Sequence, residues 1–155
     1  YQKTFDRPYH PLIPCFYKDA ANHPLPDTIV FGLAAAQADV LDNITSNAWF
    51  RIEGANLTPV IEADDGTTDT DDKATGITLT ANTWYEFKID ATDHEAVRYF
   101  YRATLGGEWT ELTTSDTFKI HSTTGLQPFV QVQKTGGVTQ VDVLIDYIDV
   151  QWRRN

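Results

Sequence analysis

Four short phrases in the second half of the chain alternate bulky apolar residues with polar ones. They are Thr83-Trp84-Tyr85-Glu86-Phe87-Lys88-Ile89, Val97-Arg98-Tyr99-Phe100-Tyr101, Leu126-Gln127-Pro128-Phe129-Val130 and Asp146-Tyr147-Ile148-Asp149-Val150, and turn-forming residues separate them. A period of two places alternate side chains on opposite faces of a strand, so each phrase has one face to bury. The pattern predicts an all-β fold, an antiparallel β-sandwich. Strands are expected over 28–34, 48–53, 58–63, 84–90, 96–103, 108–113, 118–121 and 127–134, with a long final strand over 138–152. Hairpins are expected through 54–56 and 92–95, and at the Gly106-Gly107 and Gly136-Gly137 pairs, since glycine accepts the positive φ of tight turns. The stretch 35–47 reads as a polar connection with a helical turn near 35–40, and 64–75 as an acidic, Thr-rich loop.

Facing follows from the same alternation. Tyr85, Phe87 and Ile89 share one side of their strand, and Trp84, Glu86 and Lys88 the other. Val97, Tyr99 and Tyr101 oppose Arg98, Phe100 and Arg102. In the last strand Val141, Val143 and Ile145 alternate, but so do Ile148, Val150 and Trp152, in the opposite phase. One extra residue near Asp146-Tyr147 reconciles them, because a bulge flips the side-chain register.

Residues 1–27 break the pattern. They hold five of the seven prolines, and proline removes backbone donors and disfavours both a helix and a central strand. This segment is expected to be an extended N-terminal arm ahead of a sandwich domain at 28–155. It either wraps its own domain or reaches a neighbouring subunit, with Tyr1, Phe5, Tyr9, Phe16 and Tyr17 as anchors.

Composition narrows the function. A chain of 155 residues suits one domain with a proper core. Its net charge of −10 argues against nucleic acid, whose phosphates require clustered Lys and Arg. No apolar run approaches the roughly 20 residues of a membrane helix. Cys15 is the single cysteine, which excludes an internal disulfide and reads as a small buried side chain. The absence of Met points to a chain that is processed or incompletely represented at its start.

Candidate chemistry is sparse. Glu62-Ala63-Asp64 and Asp146-x-x-Asp149 approach the paired carboxylates of a retaining glycosidase. The first pair lacks a distal Glu, and the second faces opposite sides of a regular strand. Asp64, Asp65, Asp69, Asp71 and Asp72 offer oxygen ligands, but not in the order of a calcium loop. His10, His23, His94 and His121 are scattered, and Ser46, Ser115 and Ser122 lack a nucleophile elbow. The expectation is no catalytic residue, no cofactor and no metal. Trp49, Trp84, Trp109 and Trp152 suit stacking on a sugar ring or packing in a core or interface. Trp84 is expected in the core and Trp109 on the surface, as a partner-binding residue.

In order, Phe31-Gly32-Leu33-Ala34, Thr83-Trp84-Tyr85-Glu86-Phe87, Val97-Arg98-Tyr99-Phe100-Tyr101, Leu126-Gln127-Pro128 and Ile145-Asp146-Tyr147-Ile148-Asp149-Val150 resemble the concanavalin A-like (laminin G-like) jelly roll of tailed-phage virion proteins. The resemblance covers about four-fifths of the chain. It implies a non-enzymatic virion structural protein on the outer capsid surface, most specifically a decoration (cement) protein. Its partner would be the major capsid protein, and a homo-oligomer such as a trimer would suit capsid symmetry. Other members of the superfamily bind sugars, so a lectin-like module that takes glycans is the alternative, with a tail or neck subunit as a third.

Overall fold

In a computed structural model the chain forms two antiparallel sheets. The structure describes residues 9–17, 28–53, 57–80, 83–103, 106–112, 114–134, 143–145 and 148–152. Sheet A runs β10-β1-β6-β7-β8, with β11 also paired to β1. These strands are β1 (Tyr9–Tyr17), β6 (Thr83–Asp90), β7 (Arg98–Arg102), β8 (Thr110–Leu112), β10 (Val143–Ile145) and β11 (Asp149–Trp152). Sheet B runs β5-β4-β3-β2-β9, from β2 (Thr28–Ala34), β3 (Asn47–Glu53), β4 (Val60–Asp64), β5 (Asp69–Ala74) and β9 (Gln127–Gln133). The expected all-β, antiparallel sandwich is therefore the fold. Among the described residues the helical content is a 3-10 turn, Leu41–Asn43.

The inward faces meet in an aromatic cluster. Phe31 of β2 stacks on Phe50 of β3 at 5.4 Å and meets the Phe87 edge of β6 at 5.0 Å. Phe50 also contacts Phe87 at 4.9 Å and Tyr99 of β7 at 5.3 Å. Phe87 lies on the face it shares with Tyr85 and Ile89, Tyr99 on the face it shares with Val97 and Tyr101, and all four rings are essentially fully buried. Ring pairs at such spacings stabilise by about 0.5–1.5 kcal/mol beyond their buried area. The Tyr99 hydroxyl donates to the main-chain oxygen of Glu62 at 2.6 Å, so its buried O–H has a partner.

A second, smaller core lies on the outer side of sheet B. Trp49, Val30, Ala34 and Phe129 point away from the aromatic cluster, and Leu41 and Ile44 fold down over them. The connection 35–46 is thus a lid rather than a polar loop, and its helical turn falls at 41–43, not near 35–40. Gly32, paired with Trp49 across the strands, has φ +158° and runs so close to β3 that a Cβ would lie 2.4 Å from the Ala48 carbonyl oxygen. A Cβ on Gly32 would sit 2.6 Å from the Trp49 Cα and 2.8 Å from its Cβ, inside van der Waals contact.

Three expectations change. Tyr9–Tyr17, assigned to the arm, is a strand that pairs with β6 on one side and with β10 and β11 on the other. An extended proline is tolerated where one ladder bond is forgone, and Ile13-Pro14 fall opposite the change-over from β10 to β11. Residues 9–17 are thus paired within sheet A. The acidic stretch contributes an edge strand, β5, because edge strands need little apolar character. The short strand expected over 118–121 is an isolated bridge, Val97 to Phe118. Residues 146 and 147, the site of the expected bulge, lie outside the described residues, as do 54–56 and Gly136-Gly137. The pairs on either side of 146–147 nevertheless differ in register by one residue: Cys15 opposes Ile145, while Leu12 opposes Asp149.

Trp49→Ala empties the floor of the outer core and is expected to cost about 3–5 kcal/mol in denaturant unfolding. Gly32→Ala, whose methyl would meet main-chain atoms at a φ that favours glycine, should cost about 3 kcal/mol or more through overpacking and backbone strain together. A Gly32→Ala protein as stable as the parent would refute the close approach.

Candidate functional site

The outer face of sheet A carries the chain's most unusual surface. Alternation along β6 turns Trp84, Glu86, Lys88 and Asp90 outward, and along β7 it turns out Arg98, Phe100 and Arg102. Register sets Glu86 opposite Arg102, Lys88 opposite Phe100 and Asp90 opposite Arg98. Charges and rings interleave. The Lys88 ammonium lies 4.1 Å from the Phe100 ring centre and 5.1 Å from that of Trp109. The Arg102 guanidinium covers Trp109 at 4.3 Å, and Arg98 lies 5.4 Å from Phe100. Contacts of this kind contribute about 0.5–1 kcal/mol when exposed and about 2 when desolvated.

Carboxylates hold the cations in place. Arg102 donates from Nε to the buried Glu86 and from Nη1 to the Gly107 carbonyl at 3.0 Å. Arg98 donates to Asp90 at 2.5 Å, and Asp90 also accepts from the Thr92 hydroxyl and amide. Burial draws the Lys88 ammonium below the usual lysine range; Asp90 opposes the shift, and Arg98 and Arg102 add to it. Trp84, at 37 % exposure, stands at the end of this face. Trp84 is therefore a surface residue and not the expected core residue, because its parity with Glu86 and Lys88 turns it outward.

A second cluster sits on the outer side of sheet B, around Glu62 on β4. Its carboxyl accepts from the Trp49 indole at 2.5 Å and from Arg51 Nη1 at 3.0 Å. Arg51 also pairs with Glu53 and lies 3.7 Å from Asp72. Glu62 is 3 % exposed. Burial pushes its carboxyl up to about 7; the Trp49 and Arg51 donors oppose this, and Asp72 reinforces it. Both Glu62 oxygens accept hydrogen bonds, so the buried carboxyl is held in one orientation. Asp64, two residues on, binds the Gly66 amide at 2.7 Å.

Of the expected partner-binding residues, Tyr1 and Phe5 lie outside the described residues. Tyr9, Phe16 and Tyr17 are on β1, with Tyr9 opposite Trp152, Phe16 opposite Trp84 and Tyr17 opposite Thr83. Trp109 is half-buried beneath Arg102. Phe16 is thus the register partner of Trp84, while Trp84, Lys88 and Phe100 were not among the expected partner-binding residues although their shared parity with Glu86 and Arg98 was readable. In the acidic stretch, burial first, then Asp71, Asp64 and Asp42, raise Asp69 to about 6. Among the described residues no group of three or more His, Cys, Asp or Glu is placed to hold a metal ion.

The architecture and this surface define a two-sheet antiparallel β-sandwich module with one decorated outer face. The chain belongs to the family described as SO2946-like, C-terminal domain, whose model matches residues 19–146. No curated protein and no solved structure matches it.

Arg102→Ala would leave the Glu86 carboxylate buried beside an uncovered Trp109. The expected cost is about 3–5 kcal/mol in chemical denaturation. A loss below about 1 kcal/mol would show that the pair is not holding the face together.

Proposed function

We propose that this domain is a non-enzymatic structural module of a virion, most specifically a decoration protein that bridges major capsid subunits of a tailed-phage head. One observation carries this reading: the outer face of β6–β8, where Trp84 stands beside the interleaved Phe100, Trp109, Lys88, Arg98 and Arg102. Aromatic and arginine side chains on a rigid sheet are the groups that dominate protein–protein docking. Their charges are already neutralised by Glu86 and Asp90, so a partner meets a pre-ordered surface and little side-chain entropy is lost on contact. The net charge of −10 suits an outward position better than one against packaged DNA.

Because β1 lies within the sheet, bridging on this reading falls to the sandwich face instead of an arm formed by residues 9–17. Assembly as a homo-oligomer, with a trimer matching capsid symmetry, belongs to the same reading, as does the jelly-roll resemblance that suggested it. A second reading draws on the same face. Trp84 and Trp109 both lie outside the core, with the Glu86–Arg102 pair between them in register, an arrangement that also suits stacking on a saccharide.

The test is to purify particles and measure binding of the protein to particles stripped of it. The expectation is stoichiometric occupancy, with Trp84→Ala weakening binding by roughly thirtyfold, as for an interface hot spot, in a protein whose far-UV circular dichroism is that of the parent. Absence from particles, together with Trp109-dependent binding on a glycan array, would replace this reading with the lectin-like one.

A further inference from the structure

Glu62 sits where the β4–β5 ladder changes register. Ile61 opposes Lys73, yet Ala63 opposes Thr70, so Asp71 and Asp72 on β5 together face Glu62 alone on β4. This is a β-bulge, a device that re-aims a side chain. Asp72 holds a left-handed φ of 50°, the one non-glycine residue with positive φ among those described. A left-handed non-glycine residue is strained and persists where its surroundings enforce it. The turn sets the Asp72 carboxyl 3.7 Å from Arg51, the guanidinium that also donates to Glu62, and Asp72 in turn helps to raise the Glu62 carboxyl.

The other groups around Glu62 are all accounted for. From β3 come the Trp49 indole N–H and Arg51, itself tied to Glu53. From β7 comes the Tyr99 hydroxyl, bonded to the Glu62 carbonyl. On β5, Lys73 pairs with Asp116 instead, and Asp69 lies among Asp71, Asp64 and Asp42. Glu62 and Asp72 therefore share Arg51 with Glu53, and only Glu62 has the indole as a second donor. Two like charges so close are tolerated best when one carries a proton.

We propose that Glu62 and the Asp72 bulge form a proton-operated clasp, which holds edge strand β5 to the sheet while Glu62 is protonated and loosens it when that proton leaves. With the proton on Glu62, its O–H donates to the Asp72 carboxylate across the bulge. Without it, two anions confront each other, and Asp72, which is largely exposed, swings to solvent and takes the bulge with it. Inside the closed clasp Glu62 titrates near 7, against an ordinary value of 4.5. The closed state thus holds an extra proton between those two values. The clasp is at full strength below about 4.5 and is lost as pH rises through about 7. Opening of β5 therefore grows by up to about tenfold per pH unit in that window and levels off above it. The inference does not depend on the proposed function.

Amide hydrogen exchange read by NMR, from about pH 5 to 8.5, tests it. Rates for 70–73 are corrected for intrinsic exchange and referenced to Phe50 and Ile52 of β3. The β5 amides should lose at least about tenfold protection relative to β3 between pH 5 and 7, then change little. Glu62→Gln should abolish the step. Asp72→Asn, on the exposed bulge and at ease with a left-handed φ, should move it to lower pH and serves even where Glu62→Gln impairs folding. Asp69→Asn, which removes the other raised carboxyl of β5, should leave it in place. Protection of β5 that tracks β3 throughout, or a step unmoved by Asp72→Asn, would overturn the clasp.

Discussion

Four rings hold the molecule together. Phe31 and Phe50 from one sheet and Phe87 and Tyr99 from the other interlock across the interior. Because side chains alternate along a strand, committing these residues inward commits their neighbours outward. Trp49 and Arg51 flank Phe50; Glu86 and Lys88 flank Phe87; Arg98 and Phe100 flank Tyr99. A slip of one residue in any of these strands would bury charge and expose rings, so the aromatic contact sets the register of both sheets. Both clusters of interest, the cation–ring face and the group around Glu62, are consequences of that commitment.

The two outer faces take different fates. On sheet B the lid 35–46 closes over Trp49 and Phe129, and Leu41 and Ile44 complete a second core. Glu62 is sealed at its margin, where desolvation governs its protonation. On sheet A the described residues place no such lid over β6–β8, and the rings there are covered by cations instead. Buried Glu86 and Asp90 fix those cations, so the face is rigid before any partner arrives. A face closed by apolar side chains stores stability, while one topped by fixed cations is pre-ordered for contact.

Much of the fold could be read from the chain, and the failures have physical reasons. Thr28–Ala34 and Gln127–Gln133 fall almost where the alternation puts them, since both strands bury a regular set of side chains. The one-residue phase change in the last strand was readable because Ile145 and Val150 cannot both face inward without it. Strand β5 was not, because Asp69-Thr70-Asp71-Asp72-Lys73-Ala74 has almost nothing to bury, and edge pairing leaves no hydrophobic trace. Strand β1 was hidden by Pro11 and Pro14, whose missing donors weigh against a central strand until the break between β10 and β11 is seen. The Glu62 site was out of reach because its partners, Trp49, Arg51 and Asp72, converge only through register. The one sequence signal was an acid within the apolar run Val60-Ile61-Glu62-Ala63.

The claim that the outer face of β6–β8 is the contact surface is open to direct observation by hydroxyl-radical footprinting of the protein alone and in its native assembly. Trp84 and Trp109 should be oxidised in the isolated protein, Trp84 faster, and both should be shielded on assembly, while Val40 on the opposite sheet's lid stays reactive. Equal oxidation of Trp84 in the two states, with protection elsewhere, would contradict the account.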